Sequence, residues 1–296
     1  MSMRSSTAPA GRAMVPGEFL LTESDFHKIA SLLHEDAGIH LPDTKATLVY
    51  SRLAKRLRTL GLENFRDYCA LIASEAGVGE RQQMLAALTT NVTRFFREPH
   101  HFKHLEEQVL APRAAAVRKG GRLRIWSAAC SNGQEPYSIA MSVLSVIPEA
   151  TRLDVKILAT DIDPNMVAAG ADGVYGPEIM EAVPPRMKTR WFTPLSTDNR
   201  ADWGVGEELA SLVSFRELNL IGRWPMSGRF DAIFCRNVAI YFEDKTQETL
   251  WSRFVDLLEP DGRLYIGHSE RISGEAAAAF ESDGVTTYRL RNRGRR

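Results

Sequence analysis

Between residues 123 and 147 the chain runs from a short apolar stretch, Leu123-Arg-Ile-Trp126, through the small-residue segment Ser127-Ala-Ala-Cys-Ser-Asn-Gly-Gln-Glu-Pro136. It then enters a series with Ile139, Ala140, Val143 and Leu144 at helical spacing. A strand, a tight loop and a helix in that order are half of a crossover unit, which restricts the chain to folds built on parallel strands. The same alternation continues downstream. Strands are predicted at Leu123–Trp126, Val155–Thr160, Val213–Leu218, Ala232–Cys235, Gly262–Gly267 and Val285–Leu290, with helices over 135–147, 164–171 and 244–258. The expectation is an α/β fold with a mostly parallel, doubly wound sheet, its last two strands forming an antiparallel edge. Residues 172–210 break this rhythm with Pro177, Pro184, Pro185 and Pro194, and read as an insertion with small strands.

Residues 18–90 carry no strand-like alternation and predict a separate all-helical domain. Thr22-Glu-Ser-Asp25 suits a helix cap ahead of Phe26, Ile29, Leu32 and Leu33. A second helix runs from about Lys45 to Leu60 and closes at Gly61; a third holds Phe65, Tyr68, Leu71 and Ile72, and a fourth Met84, Leu85 and Leu88. Residues 1–17 read as a disordered tail without the apolar core of a signal peptide. The remainder, 91–296, forms the second domain.

Lys plus Arg and Asp plus Glu each number 37 in 296 residues, so no overall field draws the chain to nucleic acid or to a membrane surface. No apolar run reaches the roughly 20 residues of a membrane span. Three scattered cysteines without a CxxC pair fit a reducing cytoplasm.

In open α/β sheets ligands lie beyond the carboxyl ends of the strands. After the first strand, the loop lacks both the dinucleotide fingerprint and a phosphate-loop lysine. Gly133 permits a left-handed turn, and Glu135 places an acid where pyrophosphate would be repelled and a cation favoured. After the second strand, Asp161 stands where such folds grip ribose hydroxyls. After the third, Asn219 and Leu220 offer an amide and an apolar side chain for an adenine; after the fourth come Arg236, Asn237 and Tyr241. Taken singly, Asp161 is equally a helix cap, Glu135 a first-turn charge and Asn219 a turn cap. Four coordinated strand ends with acids in place of phosphate binders point to S-adenosyl-L-methionine, whose sulfonium and ammonium are cationic. His100, His101 and His104 contain an i, i+4 pair, but without the HExxH glutamate or a third ligand they are read as structural or surface residues and no metal is assigned.

The chain closely resembles the CheR-type chemoreceptor glutamate O-methyltransferases over residues 18–292. The resemblance rests on Asn91-Val-Thr93-Arg-Phe-Phe-Arg97-Glu, on SAACSNGQEPYSIA, on Ala159-Thr-Asp161-Ile-Asp163, on Phe230-Asp-Ala-Ile-Phe-Cys-Arg236-Asn237-Val-Ala-Ile-Tyr241-Phe, and on Gly267-His-Ser-Glu270. The first loop departs from the commoner Ser-Thr-Gly-Glu-Glu-Pro by reading Cys-Ser-Asn-Gly-Gln-Glu-Pro, with Glu-Pro-Tyr-Ser kept. The resemblance implies a Rossmann-like class I methyltransferase sheet, an all-helical N-terminal domain for receptor recognition and a small inserted β-subdomain near 172–210. It implies methyl transfer from S-adenosyl-L-methionine to glutamates on cytoplasmic receptor helices, releasing S-adenosyl-L-homocysteine. It carries cofactor contacts onto Asn91, Thr93, Arg97, Glu135, Asp161, Asn219, Leu220, Arg236 and Asn237, and sets Arg97 and Tyr241 beside the methyl group. In some members the β-subdomain adds a receptor C-terminal peptide as a further strand.

Between Asp43 and Glu63 lie five basic residues and no acid. Arg52, Lys55, Arg56 and Arg58 fall within about 160° of helical arc. On pattern alone this is a solvated face; with an acidic substrate helix implied, recognition is the preferred reading, and Arg52, Lys55 and Arg58 match the family's receptor-facing positions. Two other functions compete: a methyltransferase for RNA, which neutral charge and the lack of aromatic–basic interleaving disfavour, and a cofactor-sensing module without turnover, which the presence of Arg97 and Tyr241 disfavours.

Overall fold

The computed structural model describes residues 12–196 and 201–291. The chain divides into two compact units between Thr90 and Asn91.

Among its described residues the first unit holds four α-helices, α1 (Glu23–Ala37), α2 (Ala46–Leu60), α3 (Phe65–Ala73) and α4 (Val78–Leu88). Their limits follow from local chemistry. Thr22 and Asp25 form a reciprocal capping box at the start of α1, and Gly38 ends it with a left-handed φ of 70°. Gly61 closes α2 in the same way, and the Asn64 side chain accepts the Asp67 N–H to begin α3. Phe26, Ile29, Leu33, Leu53, Leu57, Phe65, Tyr68 and Met84 are all closed to water and make the core. Order begins before position 18, against the expected tail to residue 17: Ala13 bridges Thr22, the Met14 N–H donates to Leu21 C=O, and Val15 is buried. The apolar Val15, Phe19 and Leu21 pin this strap, which composition alone hides. Residues 1–11 of the expected tail lie outside the described residues.

The second unit opens with α5 (Pro99–His104), a π-helical stretch over 105–110, and α6 (Ala111–Arg118). Its large sheet follows: β1 (Leu123–Ala128), α7 (Gln134–Val146), β2 (Val155–Asp161) and α8 (Pro164–Asp172). Then comes the inserted region, with β3 (Val174–Tyr175), α9 (Pro177–Met180), α10 (Pro185–Trp191), β4 (Phe192–Pro194) and β5 (Trp203–Val205). The chain returns through α11 (Glu207–Leu212), β6 (Val213–Glu217), β7 (Phe230–Cys235), α12 (Asp244–Leu257), β8 (Leu258–Ile266), β9 (Phe280–Gly284) and β10 (Thr287–Leu290).

The seven strands are ordered β6-β2-β1-β7-β8-β10-β9, parallel from β6 to β8 and antiparallel over the last two pairings. β1 and β7 lie side by side in the middle, β7 buried along its whole length and β1 at all but Arg124, which explains their mainly apolar sequences. The single final strand expected over 285–290 is instead the second half of a hairpin, because Thr286 turns the chain with a positive φ between β9 and β10. The insertion forms a separate three-stranded antiparallel sheet, β3-β5-β4. Because sequence order reverses between β1 and its neighbours β2 and β7, the loops after β1 and β7 diverge and leave a crevice at their carboxyl ends.

Candidate active site at the carboxyl ends of the strands

Strain marks this end of the sheet. Of the six non-glycine residues with positive φ among the described residues, Ala129 and Ser131 lie in the loop after β1, Asn237 follows β7, and Phe96 and Glu98 stand in the segment that enters the unit. Such backbone costs roughly 1–3 kcal/mol per residue and persists only where surrounding contacts impose it.

Those contacts can be named. Gly133 (φ 91°) lets α7 start tightly; a Cβ there would stand 2.9 Å from both the Gly170 Cα and the Tyr175 hydroxyl. Gln134, at the head of α7, accepts the Phe95 N–H at 3.1 Å and donates to Asn132 at 3.0 Å, while the Ser138 hydroxyl accepts the Phe96 N–H at 3.0 Å. The segment Asn91–Arg97 is thereby fastened along α7. Asn91 extends the fastening: its side chain donates to Asp163 at 3.0 Å and its carbonyl accepts the Ser131 hydroxyl at 2.9 Å. Thr93 lies within this segment, partly exposed. The Arg97 guanidinium donates to Val92 C=O at 3.0 Å, closing the segment into a loop.

Asp161 ends β2 and is 6% exposed, its two oxygens accepting the N–H groups of Ser131 at 2.7 Å and Asp163 at 3.0 Å. Helix α8 is capped by Asp163, which accepts the Asn165 N–H, so the capping role open to Asp161 on sequence belongs to its neighbour. Burial pushes the Asp161 carboxyl above its ordinary range despite these backbone donors.

Glu135 accepts the Ser127 hydroxyl at 2.7 Å and the Arg236 guanidinium at 3.0 Å. Burial raises its pKa, and Arg236 pulls the other way without overcoming it. Arg236 also lies 3.4 Å from Glu98 and donates to the Arg97 carbonyl, so one buried cation joins the loops after β1 and β7 to the entering segment. Burial would raise the Glu98 carboxyl, but Arg236 and His268 together hold it below the usual range.

Beyond β6, the Asn219 side chain accepts the Ile221 N–H at 3.0 Å, and Leu220 is buried with its carbonyl accepting Arg253 at 2.8 Å. Arg253 stacks on Trp224 at 3.6 Å, which fixes the loop from outside. Tyr241 ends a short 3₁₀ turn five residues after Arg236 and is half-buried.

Cofactor and alignment residues assigned from the sequence therefore all stand on the entering segment or just beyond β1, β2, β6 and β7. The sequence reading missed Ser127, Gln134, Ser138, Glu98 and Glu270, which hold these residues in place. All five sat within quoted motifs, Ser127, Gln134 and Ser138 in SAACSNGQEPYSIA, but nothing in those motifs named their remote partners.

Glu98, His100 and His101 bring ligand atoms within 4.8 Å of one another among the described residues. The Arg236 guanidinium beside Glu98 opposes any cation there. Burial first, then Arg236, push the His101 pKa down to about 3, so the imidazole is neutral at physiological pH, with its Nε2 2.9 Å from the Thr286 hydroxyl. His104 lies 3.1 Å from the Tyr265 hydroxyl.

The residues assigned to receptor recognition stand in the first unit. Arg52 donates to the carbonyls of Ala87, Leu88 and Thr89 at 3.2, 2.9 and 2.6 Å, capping the carboxyl end of α4. Arg56 forks onto Glu80. Lys55 is exposed, and the exposed Arg58 pairs with Glu18 at 3.0 Å.

A buried acid at the end of β2, a second after β1, a buried apolar side chain after β6 and left-handed backbone at Ala129 and Ser131 fit S-adenosylmethionine. Asp161 would hold the ribose, Asn219 and Leu220 the adenine, and Glu135, Arg236 and the entering segment the amino-acid end.

Comparison with known proteins agrees. Residues 24–89 match the family described as CheR methyltransferase, all-alpha domain, and residues 91–289 match CheR methyltransferase, SAM binding domain. A probable chemotaxis protein methyltransferase of Rhizobium etli is 52% identical over 89% of this chain and 98% of its own length. The chemotaxis protein methyltransferase of Escherichia coli is 41% identical over 91% of this chain and 92% of its own. Chemotaxis protein methyltransferase 2 of Pseudomonas aeruginosa is 43% identical over 92% and 94%. With strands, loops and both sequence matches in accord, the chain belongs to the CheR family of methyltransferases and uses S-adenosylmethionine as its cofactor.

Proposed function

We propose that this enzyme esterifies glutamate side chains on the cytoplasmic helices of chemoreceptors, in sensory adaptation. The observation that carries the proposal is the match of both units to one family, with near-complete coverage of relatives named chemotaxis protein methyltransferases. When bound, S-adenosylmethionine supplies a methyl group already activated by its sulfonium. The chain's own residues have the remaining work. A glutamate has an ordinary pKa of about 4.3 and is a carboxylate at neutral pH, so ester formation needs no general base. That accords with a site in which Arg97 and Tyr241, rather than a histidine or cysteine, are assigned next to the reacting groups. Arg97 orients the carboxylate through its planar fork, and Tyr241 fixes the second oxygen or the methyl position. An arginine also damps nucleophilicity, so its role is alignment, worth up to roughly 7–11 kcal/mol when combined with exclusion of water.

For recognition, Lys55 and Arg58 are the basic residues of α2 most available to an acidic receptor helix, and Arg52 contributes by holding the end of α4 in shape. The outer strands β3 and β4 of the small sheet are the edges to which a receptor C-terminal peptide would add. A cytoplasmic location follows from the receptor domains it would act on, and no helix among the described residues is long and apolar enough to cross a membrane.

The test offers purified receptor cytoplasmic fragment, RNA and small carboxylates side by side, with labelled S-adenosylmethionine. Label on the receptor fragment alone is expected; label on RNA or on free carboxylates at comparable rates contradicts the proposal.

A further inference from the structure

We infer that Glu270 is a positioning residue for methyl transfer: its carboxylate holds the turn that presents Arg236, Asn237 and Tyr241. The inference rests on the proposed roles of those three residues, and it concerns a side chain that contacts none of the reacting groups.

The Glu270 side chain, 3% exposed, gathers four backbone N–H groups. One oxygen accepts Val238 at 2.9 Å and Ala239 at 2.8 Å; the other accepts Asn237 at 2.9 Å and Gly267 at 2.5 Å. Successive N–H groups converging in this way form a concave anion site, and here the anion belongs to the chain itself. Ionised acceptors make shorter and stronger hydrogen bonds than neutral ones, so the carboxylate can impose a conformation the turn would otherwise leave. Asn237 shows that imposition with its φ of 60°.

The loop carrying Glu270 fits closely against the same turn. A Cβ on Gly267 would stand 2.5 Å from the Asn237 side-chain nitrogen and 2.9 Å from its backbone nitrogen. The 3₁₀ turn that ends at Tyr241 continues directly from the amides Glu270 holds, through Tyr241 N–H to Val238 C=O at 3.1 Å and Phe242 N–H to Ala239 C=O at 2.9 Å. Arg236 precedes the clamped residues and Tyr241 follows them, so one carboxylate sets the direction of both.

Glu270→Gln in the full chain keeps the shape but turns an amide NH₂ towards two N–H donors. Turnover at saturating receptor and cofactor should fall about 100-fold, the loss that a displacement of about 1 Å brings to an aligned reaction. The Michaelis constant for receptor should stay within about twofold, and S-adenosylhomocysteine should bind about tenfold more weakly as one Asn237 contact is lost. Glu270→Asp, which keeps the charge, should recover part of the turnover. Should Glu270→Gln not fold, Gly267→Ala decides: it presses on Asn237 with the carboxylate intact and should lower turnover with the receptor Michaelis constant unchanged. Wild-type turnover in folded Glu270→Gln, or in Gly267→Ala, overturns the inference. A wild-type enzyme that fails to methylate receptor contradicts the proposed function instead, and the two failures are distinct.

Discussion

Arg236 and Glu135 meet at 3.0 Å with both side chains nearly closed to water, joining the loop after β7 to the head of α7. Glu98 approaches the same guanidinium at 3.4 Å, so one cation serves two acids. Arg236→Ala would take from both carboxylates the buried cation they share, leaving Glu135 with the Ser127 hydroxyl and Glu98 with His268. Removing one partner of a buried pair costs about 3–5 kcal/mol, and urea unfolding of the variant should show a loss of that size. A loss below about 1 kcal/mol, the value of an exposed pair, would show that water reaches the site and relieves it.

Asp161→Asn separates cofactor binding from stability. Folding raises this carboxyl above its ordinary range, so its contribution to stability is present below the unfolded pKa and is lost as pH rises through the folded one. At neutral pH the buried charge opposes folding, and the asparagine variant should be close to wild type in thermal stability. Its affinity for S-adenosylhomocysteine should fall by about 1.5–3 kcal/mol, the value of a hydrogen bond to a charged group. Calorimetry finding unchanged affinity in the folded variant would remove Asp161 from the ribose site.

Tyr241→Phe should lower turnover more than cofactor affinity, whereas Arg97→Lys should lower both. Lysine keeps the charge but loses the fork, and it would also release the loop that Arg97 closes through Val92. Wild-type turnover in both variants with saturating receptor would eliminate alignment by these residues.

The basic face of α2 divides into two kinds of residue. Arg52→Ala strips three carbonyls of their donor and should lower the stability of the helical unit by about 1–3 kcal/mol, as an unmade buried hydrogen bond does. Reversing Lys55 and Arg58 to Glu should leave the fold intact, raise the Michaelis constant for receptor and weaken its salt dependence, each exposed charge contributing about 0.2–1 kcal/mol. Glu18→Ala frees Arg58 and should shift the receptor Michaelis constant the other way. An unchanged constant and salt response in the double reversal would return this face to simple solvation.

What the sequence made legible was local. The Thr22–Asp25 cap, the glycine stop at 61 and the mainly apolar stretches of β1 and β7 depend on residues within a few positions of one another. Strand ends therefore located Glu135, Asp161 and Asn219. The supports were illegible because their partners are remote: Arg52 meets the end of α4 some 35 positions away, Gln134 meets Phe95, and Glu270 meets Asn237. β9 was passed over and the last strand begun at 285, inside the turn, because Val285-Thr286 is built from β-branched residues rather than from those that usually signal a turn.

Methyl esters, unlike methyl groups on nitrogen or carbon, are released as methanol by mild base. The most direct measurement is therefore the base lability of label transferred to receptor fragment, with the modified residues mapped by mass spectrometry. The account predicts label released by base and located on glutamates of the cytoplasmic helices. Label that survives base, or that maps to lysine, arginine or a terminus, would contradict it.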